Sequence, residues 1–298
     1  MSGIMEQYFI ENDKLKVGIN LKGAELASIY GKQSEKEYMW QADPEFWGRH
    51  SCILFPIVGK LIDDTYTLDG KSYELKQHGF VRNRMFEVKK QEADKITFSY
   101  SSTEEDKAIY PYEFVVNMIY TIEGDTVSVI YEVENINATE MYFSIGGHPG
   151  FNCPLEEGEK RSDYSVVFDQ VETAESYTLN DDGFFDGKTK KVFGDSPAIQ
   201  IKDDLFDDDA LVFKDLKSTV VSLVNKAGKK ILSFDYSGFP YLGIWSQNRE
   251  SPFVCIEPWC GMADNAAGQD DFKNKEGVQP LEAGKTFTCE HKVSIFQS

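Results

Sequence analysis

The ten residues TVSVIYEVEN, 126–135, decide the fold class. Val127, Val129, Tyr131 and Val133 fall on one side of an extended chain, and Thr126, Ser128, Glu132 and Glu134 largely on the other. This period of two marks a strand with one buried face. The turn Glu123-Gly124-Asp125 joins it to the preceding FVVNMIYTI as a hairpin. A second hairpin reads STVVSLVN–KAGK–KILSFDY across 218–236. The closing stretch KTFTCEHKVSIF sets Phe287, Cys289, His291, Val293 and Ile295 against Thr288, Glu290, Lys292 and Ser294. Long helical periodicity is absent, and the best short helical turn lies around Ser102–Tyr110. Strands joined by turns from end to end, with no Pro/Ser linker, predict one all-β antiparallel sandwich or barrel over residues 1–298.

Composition narrows the function classes. A chain of 298 residues with 41% hydrophobic content can bury a sizeable core. The nearly apolar run CILFPIVG, 52–59, is too short to span a bilayer, and MSGIMEQYFIENDKLK lacks the features of a secretion signal, so a cytoplasmic location is expected. Five scattered cysteines, Cys52, Cys153, Cys255, Cys260 and Cys289, fit a reducing compartment and argue against a disulfide framework or a structural zinc site. A formal charge of −19 disfavours nucleic acid and anionic membranes as partners but leaves a neutral small molecule unaffected.

The candidate chemistry starts from four histidines. His291 lies on the apolar face of the last strand and reads as a hydrogen-bonded core or half-buried residue. His50, in WGRHSC, has no distinctive flank. His78, in KQHGFVRNR, is followed by Gly79 and two arginines, Arg82 and Arg84, which suits either close approach to a ligand or an ordinary turn. His148 sits in GGHPGFN, 146–152, where Pro149 removes a backbone donor and holds the histidine extended. That run fits a backbone shaped for function and equally a β-bulge or sheet corner. In PFVCIEPWCGMADN, 252–265, an apolar run ends in Glu257 beside Trp259. Partial desolvation there would raise the carboxyl toward the range of a general base; the alternative is a rim salt bridge. Trp259 and Trp245 suit stacking on a sugar face or, as tryptophans more often do, core packing. DDLFDDD, 203–209, lacks the glycine and distal glutamate of a calcium loop and reads as solvated. Asn137-Ala138-Thr139 matches a glycosylation acceptor that is expected to be idle.

In this order, HGF, GGHPGFN and CIEPWCGMAD resemble the aldose 1-epimerase (galactose mutarotase) superfamily, and its bacterial LacX-like branch in particular. FWGRHSCILFPIVGKL, YTLDGKSYEL, DDALVFKDL and FPYLGIWSQ extend the likeness along most of the chain. The resemblance implies a large antiparallel β-sandwich, or supersandwich, with a site on a concave sheet face. It implies His148 as acid, Glu257 as base and His78 as a second substrate-holding histidine. The family's sugar-contacting arginine falls on Lys60, which lacks the planar fork for bidentate contact. A sugar-binding aspartate falls at Asp209 or Asp208. Arg49, with Arg82 and Arg84, is a basic residue that a phosphate would need, and Trp259 a stacking surface.

The implied reaction exchanges the α and β anomers of a hexose by ring opening and reclosure. It needs one acid and one base, expected on opposite sides of the C1–O5 unit, with Glu257 ionised and His148 protonated near neutral pH. It needs neither a metal nor a redox cofactor. The partner is then a small-molecule sugar, either a free hexose or a hexose 6-phosphate. A non-catalytic carbohydrate-binding or sensing protein on the same fold is the other reading; a glycoside hydrolase would need a pair of carboxylates flanking the bond.

Overall fold

A computed structural model describes residues 6–297. Two large antiparallel sheets carry the architecture. The nine-stranded sheet runs Ala198–Gln200, Tyr164–Phe168, Val220–Asn225, Lys230–Asp235, Thr286–Ile295, Thr126–Asn135, Phe114–Glu123, Lys95–Ser101, Glu87–Gln91. The seven-stranded sheet runs Phe185–Lys190, Ser176–Leu179, Leu211–Phe213, Tyr241–Trp245, Phe253–Cys260, Ile145–Asn152, Ser51–Leu54. A four-stranded sheet starting at Gln7, the hairpin Thr65–Leu68 with Lys71–Glu74, and a short pairing of Met141–Phe143 with Gln279–Leu281 complete it.

The strands follow from the alternation. In Thr126–Asn135 every second residue from Val127 is buried, and Glu123 pairs with Thr126 across the Gly124-Asp125 turn. The hairpin 218–236 forms with a register shift at Leu223/Val224. The helical turn is Glu104–Lys107, opened by a capping box between Thr103 and Asp106 that satisfies two otherwise unpaired backbone donors.

Alternation also gives the seven-stranded sheet two different faces. Ile53, Phe151, Leu211, Phe213, Ile244, Val254 and Ile256 enter the large apolar cluster shared with the nine-stranded sheet. Phe151 meets Phe234 of that sheet edge-on at 6.1 Å, a geometry the ring quadrupoles favour. The opposite face presents Cys52, Leu54, His148, Val212, Trp245, Cys255, Glu257 and Trp259, and is covered by loops rather than by a sheet. Strand Phe253–Cys260 is therefore buried along its whole length.

His291 points into the space between the two sheets. It stacks on Phe234 at 4.8 Å, is 1% exposed, and neither ring nitrogen has a hydrogen-bond partner among the described residues. The expected core position is observed; the expected hydrogen bond is not, because its neighbours Tyr131, Phe234 and Phe239 meet it through their rings. Asn137 uses its side chain on Glu113 O and Asn135 Oδ1, which ties the acceptor-like motif into a loop.

Candidate active site

The site grows from the pairing of two central strands. Gly146 lies opposite Trp259 and Gly150 opposite Cys255, while the ladder is interrupted between them. Continuing that register brings His148 opposite Glu257. Pro149 and Pro258 fall inside the interruption, where neither can supply an N–H. The two candidate side chains then emerge on the same face as cross-strand neighbours, with His148 Nε2 3.3 Å from Glu257 Oε1.

The glycines make room. A Cβ on Gly146 would lie 2.8 Å from the Trp259 ring, and one on Gly147 would lie 2.4 Å from Tyr131 Oη, which rises from the nine-stranded sheet. GGHPG is thus a central strand thinned on both faces, neither a bulge nor a corner. Trp47 stacks on the His148 ring at 4.6 Å, and Trp245 meets it edge-on at 5.5 Å. Sequence reasoning singled out Trp245 but not Trp47, although FWGRHSC carries it beside Arg49.

His78 arrives from a loop. Its φ of +64° is a left-handed conformation uncommon for a non-glycine residue. The strap that holds it is double: His78 N donates to Gly59 O at 2.9 Å, and Gly59 N donates to His78 Nδ1 at 3.1 Å. Because Nδ1 accepts, the neutral ring carries its proton on Nε2 and is a donor there. The His78 and His148 rings stand edge to face at 5.7 Å.

His78, His148, Glu257, Trp259, Asp209 and Lys60 line one cavity. Of the two aspartates, Asp209 faces it, while Asp208 is exposed beside Lys190 at 3.4 Å. Lys60 Nζ donates to Asp182 O at 2.8 Å and lies over the Phe184 ring, so it ties the 180–185 loop to the rim. Arg49 is not a lining residue: its Nη2 donates to Asn83 Oδ1 at 2.9 Å. Arg82 is turned onto Gln77 O and Arg84 onto buried Asp106. Leu179 and Phe185, paired at the ends of neighbouring strands, also line the cavity and had no signal in the sequence.

Burial reverses the expected charges. It pushes His148 down to about 3, with the Arg82 and Arg49 charges acting in the same direction. It lifts Glu257 well above the ordinary carboxylate range, with Asp209 adding to the effect and the Trp259 indole opposing it. His78 is held well below its usual value by burial, then by His148, Arg82 and Arg49. Desolvation disfavours charge on both members of the pair, so the single proton they share rests on the carboxyl and the imidazole is neutral. The separation is also a correction. No pyranose fits between groups 3.3 Å apart. None needs to, since O1 and O5 of a pyranose are both bonded to C1, and one edge of such a ring can meet two groups that stand side by side.

The sequence model of the family described as aldose 1-epimerase matches residues 6–286. The protein LacX (chromosomal) of Lactococcus lactis subsp. lactis is 33% identical over 287 residues, covering 93% of this chain and 96% of its own. A galactose mutarotase related enzyme from Lactobacillus acidophilus superposes with a TM-score of 0.91 at 37% identity, over 98% of this chain and 97% of that one. A galactose mutarotase-like protein from Lactobacillus casei ATCC 334 does so with 0.92 at 31%, over 98% and 100%. The galactose mutarotase of Sus scrofa is 24% identical over 56% of this chain.

Proposed function

The chain belongs to the aldose 1-epimerase family, and we propose that it is an isomerase that interconverts the α and β anomers of a free hexose. The observation that carries this reading is the buried contact between His148 and Glu257 in a cavity also lined by a fixed donor, His78. Residues 1–298 are taken as one domain, a view supported by a single apolar cluster with members from Ile10 to Ile295.

The unliganded pair stores its one proton on Glu257. Transfer across the 3.3 Å contact to His148 Nε2 gives a carboxylate and an imidazolium. The carboxylate takes the C1 hydroxyl proton while the imidazolium protonates O5. The C1–O5 bond breaks, its electron pair staying with O5, and the aldehyde forms. Glu257 is protonated again and His148 neutral, so opening returns the pair to its stored form. Rotation about C1–C2 and the reverse transfers close the other anomer. Acid–base groups so positioned contribute about 10²–10⁴-fold each. His78 Nε2–H orients the sugar, and Asp209 and Lys60 offer an acceptor and a donor to its hydroxyls.

A free hexose is favoured over a 6-phosphate by the cavity's charge. Asp209 lines it, Asp207 and Asp208 stand in the adjoining cleft, Lys60 is held by Asp182 O, and Arg49, Arg82 and Arg84 are committed elsewhere. NMR exchange spectroscopy of anomers tests the proposal on matched free and 6-phosphorylated hexoses. Faster exchange of a free hexose is expected. Exchange accelerated for the phosphates alone would overturn the substrate assignment. No acceleration of either, with sugar still raising the melting temperature, would make the protein a binder.

A further inference from the structure

Cys255 precedes Glu257 by two residues on the same strand, so both side chains leave the same face, and the register sets His148 opposite. The donor atoms of His148, Cys255 and Glu257 all lie within 4.8 Å of one another, and all three residues are buried. Among the described residues this is the one group of His, Cys, Asp and Glu so gathered. We propose that these three residues form a site for a thiophilic divalent cation of the zinc class, with its fourth position open to the cavity, and that a cation there arrests turnover.

The distances suit such an ion. Zinc–nitrogen and zinc–oxygen bonds of about 2.1 Å give a tetrahedral N–O edge of about 3.4 Å. The His148 Nε2 to Glu257 Oε1 separation is 3.3 Å. Edges to sulfur are about 3.6 Å, so from separations within 4.8 Å Cys255 Sγ needs to close by about 1.2 Å at most. Thiolate, carboxylate and neutral imidazole make the zinc site neutral overall, which suits a desolvated strand. Binding expels the thiol proton of Cys255 and the carboxyl proton of Glu257 to solvent, and the imidazole donates its Nε2 lone pair. Trp47, stacked on His148, already holds that ring in place. Three protein ligands and one open position is the arrangement of a zinc ion accessible to small molecules. Binding itself is independent of the proposed reaction; the arrest rests on it.

The test titrates the whole metal-free protein with Co²⁺, then with competing Zn²⁺. Expected is one equivalent, with a sulfur-to-cobalt charge-transfer band and the strong visible bands of four-coordinate cobalt, all displaced by Zn²⁺. Cys255→Ser should abolish the charge-transfer band and weaken Zn²⁺ by more than about tenfold, the scale already lost with an outer-shell partner. Glu257→Gln should weaken it similarly. Cys260→Ser, at the thiol neighbouring Cys289, should leave the spectrum intact. No band in the unaltered protein, or one that survives Cys255→Ser, overturns the site. Anomer exchange that continues in the cobalt-loaded protein overturns the arrest. Absence of exchange before metal is added defeats the functional reading instead, while the spectra still decide the site.

Discussion

Replacing His291 by leucine should make the protein less sensitive to acid, by an amount the structure sets. His291 is buried, neither of its nitrogens is bonded among the described residues, and burial alone pushes it down to about 3. Rings rather than charges surround it. In the unfolded chain the same imidazole titrates near 6.5. Its folded value is depressed, so the neutral ring's contribution to stability is complete above about pH 6.5. As pH falls below that, the unfolded state takes up a proton that the folded state refuses. Stability is lost at up to about 1.4 kcal/mol per pH unit, until about pH 3. Integrated to pH 5, the loss is about 2 kcal/mol. Leucine approximates the volume and has no proton to refuse. Urea unfolding of both proteins at pH 8 and pH 5 gives two stability differences, and the variant should gain about 2 kcal/mol relative to the parent between them. Other titrating groups cancel in this double difference. An unchanged difference would mean that the ring is protonated or solvated in the folded state, and the reasoning would fail.

Three further outcomes follow from the same geometry. Glu257→Gln and His148→Ala should each lower anomer exchange by about 10²–10⁴-fold with little change in melting temperature, and together cost far less than the product, because the pair works as one unit; exchange spectroscopy and thermal melts measure both. The pair is competent while it holds one proton, so kcat/KM should show no inflection near pH 6.5. Its acid limb belongs near 3, where His148 titrates among His78, Arg82 and Arg49, and its alkaline limb lies above the ordinary carboxylate range because Glu257, beside Asp209, is raised; a pH–rate profile with an acid limb at 6.5 would refute this. Gly147→Ala should destabilise by about 1–3 kcal/mol, since its methyl would sit 2.4 Å from Tyr131 Oη, and adding Tyr131→Phe should restore part of the loss in denaturant melts.

Local pattern carried much of the fold. Val127, Val129, Tyr131 and Val133 declare their strand because side chains alternate at a period that needs no knowledge of the partner. The residues for which a resemblance implied roles, His78, His148 and Glu257, come to one cavity with Asp209, Lys60 and Trp259. Arg49 did not, because a guanidinium on a long stem follows its nearest acceptor, here Asn83. Strand pairing was beyond the sequence. Only the register between Ile145–Asn152 and Phe253–Cys260 sets His148 against Glu257, over a hundred residues apart in the chain, and only the cover over that sheet face brings Trp47 onto the imidazole. The protonation pattern belongs to tertiary structure as well. Desolvation sums over every neighbour that excludes water, so the same two side chains that sequence reasoning charged are neutral once buried.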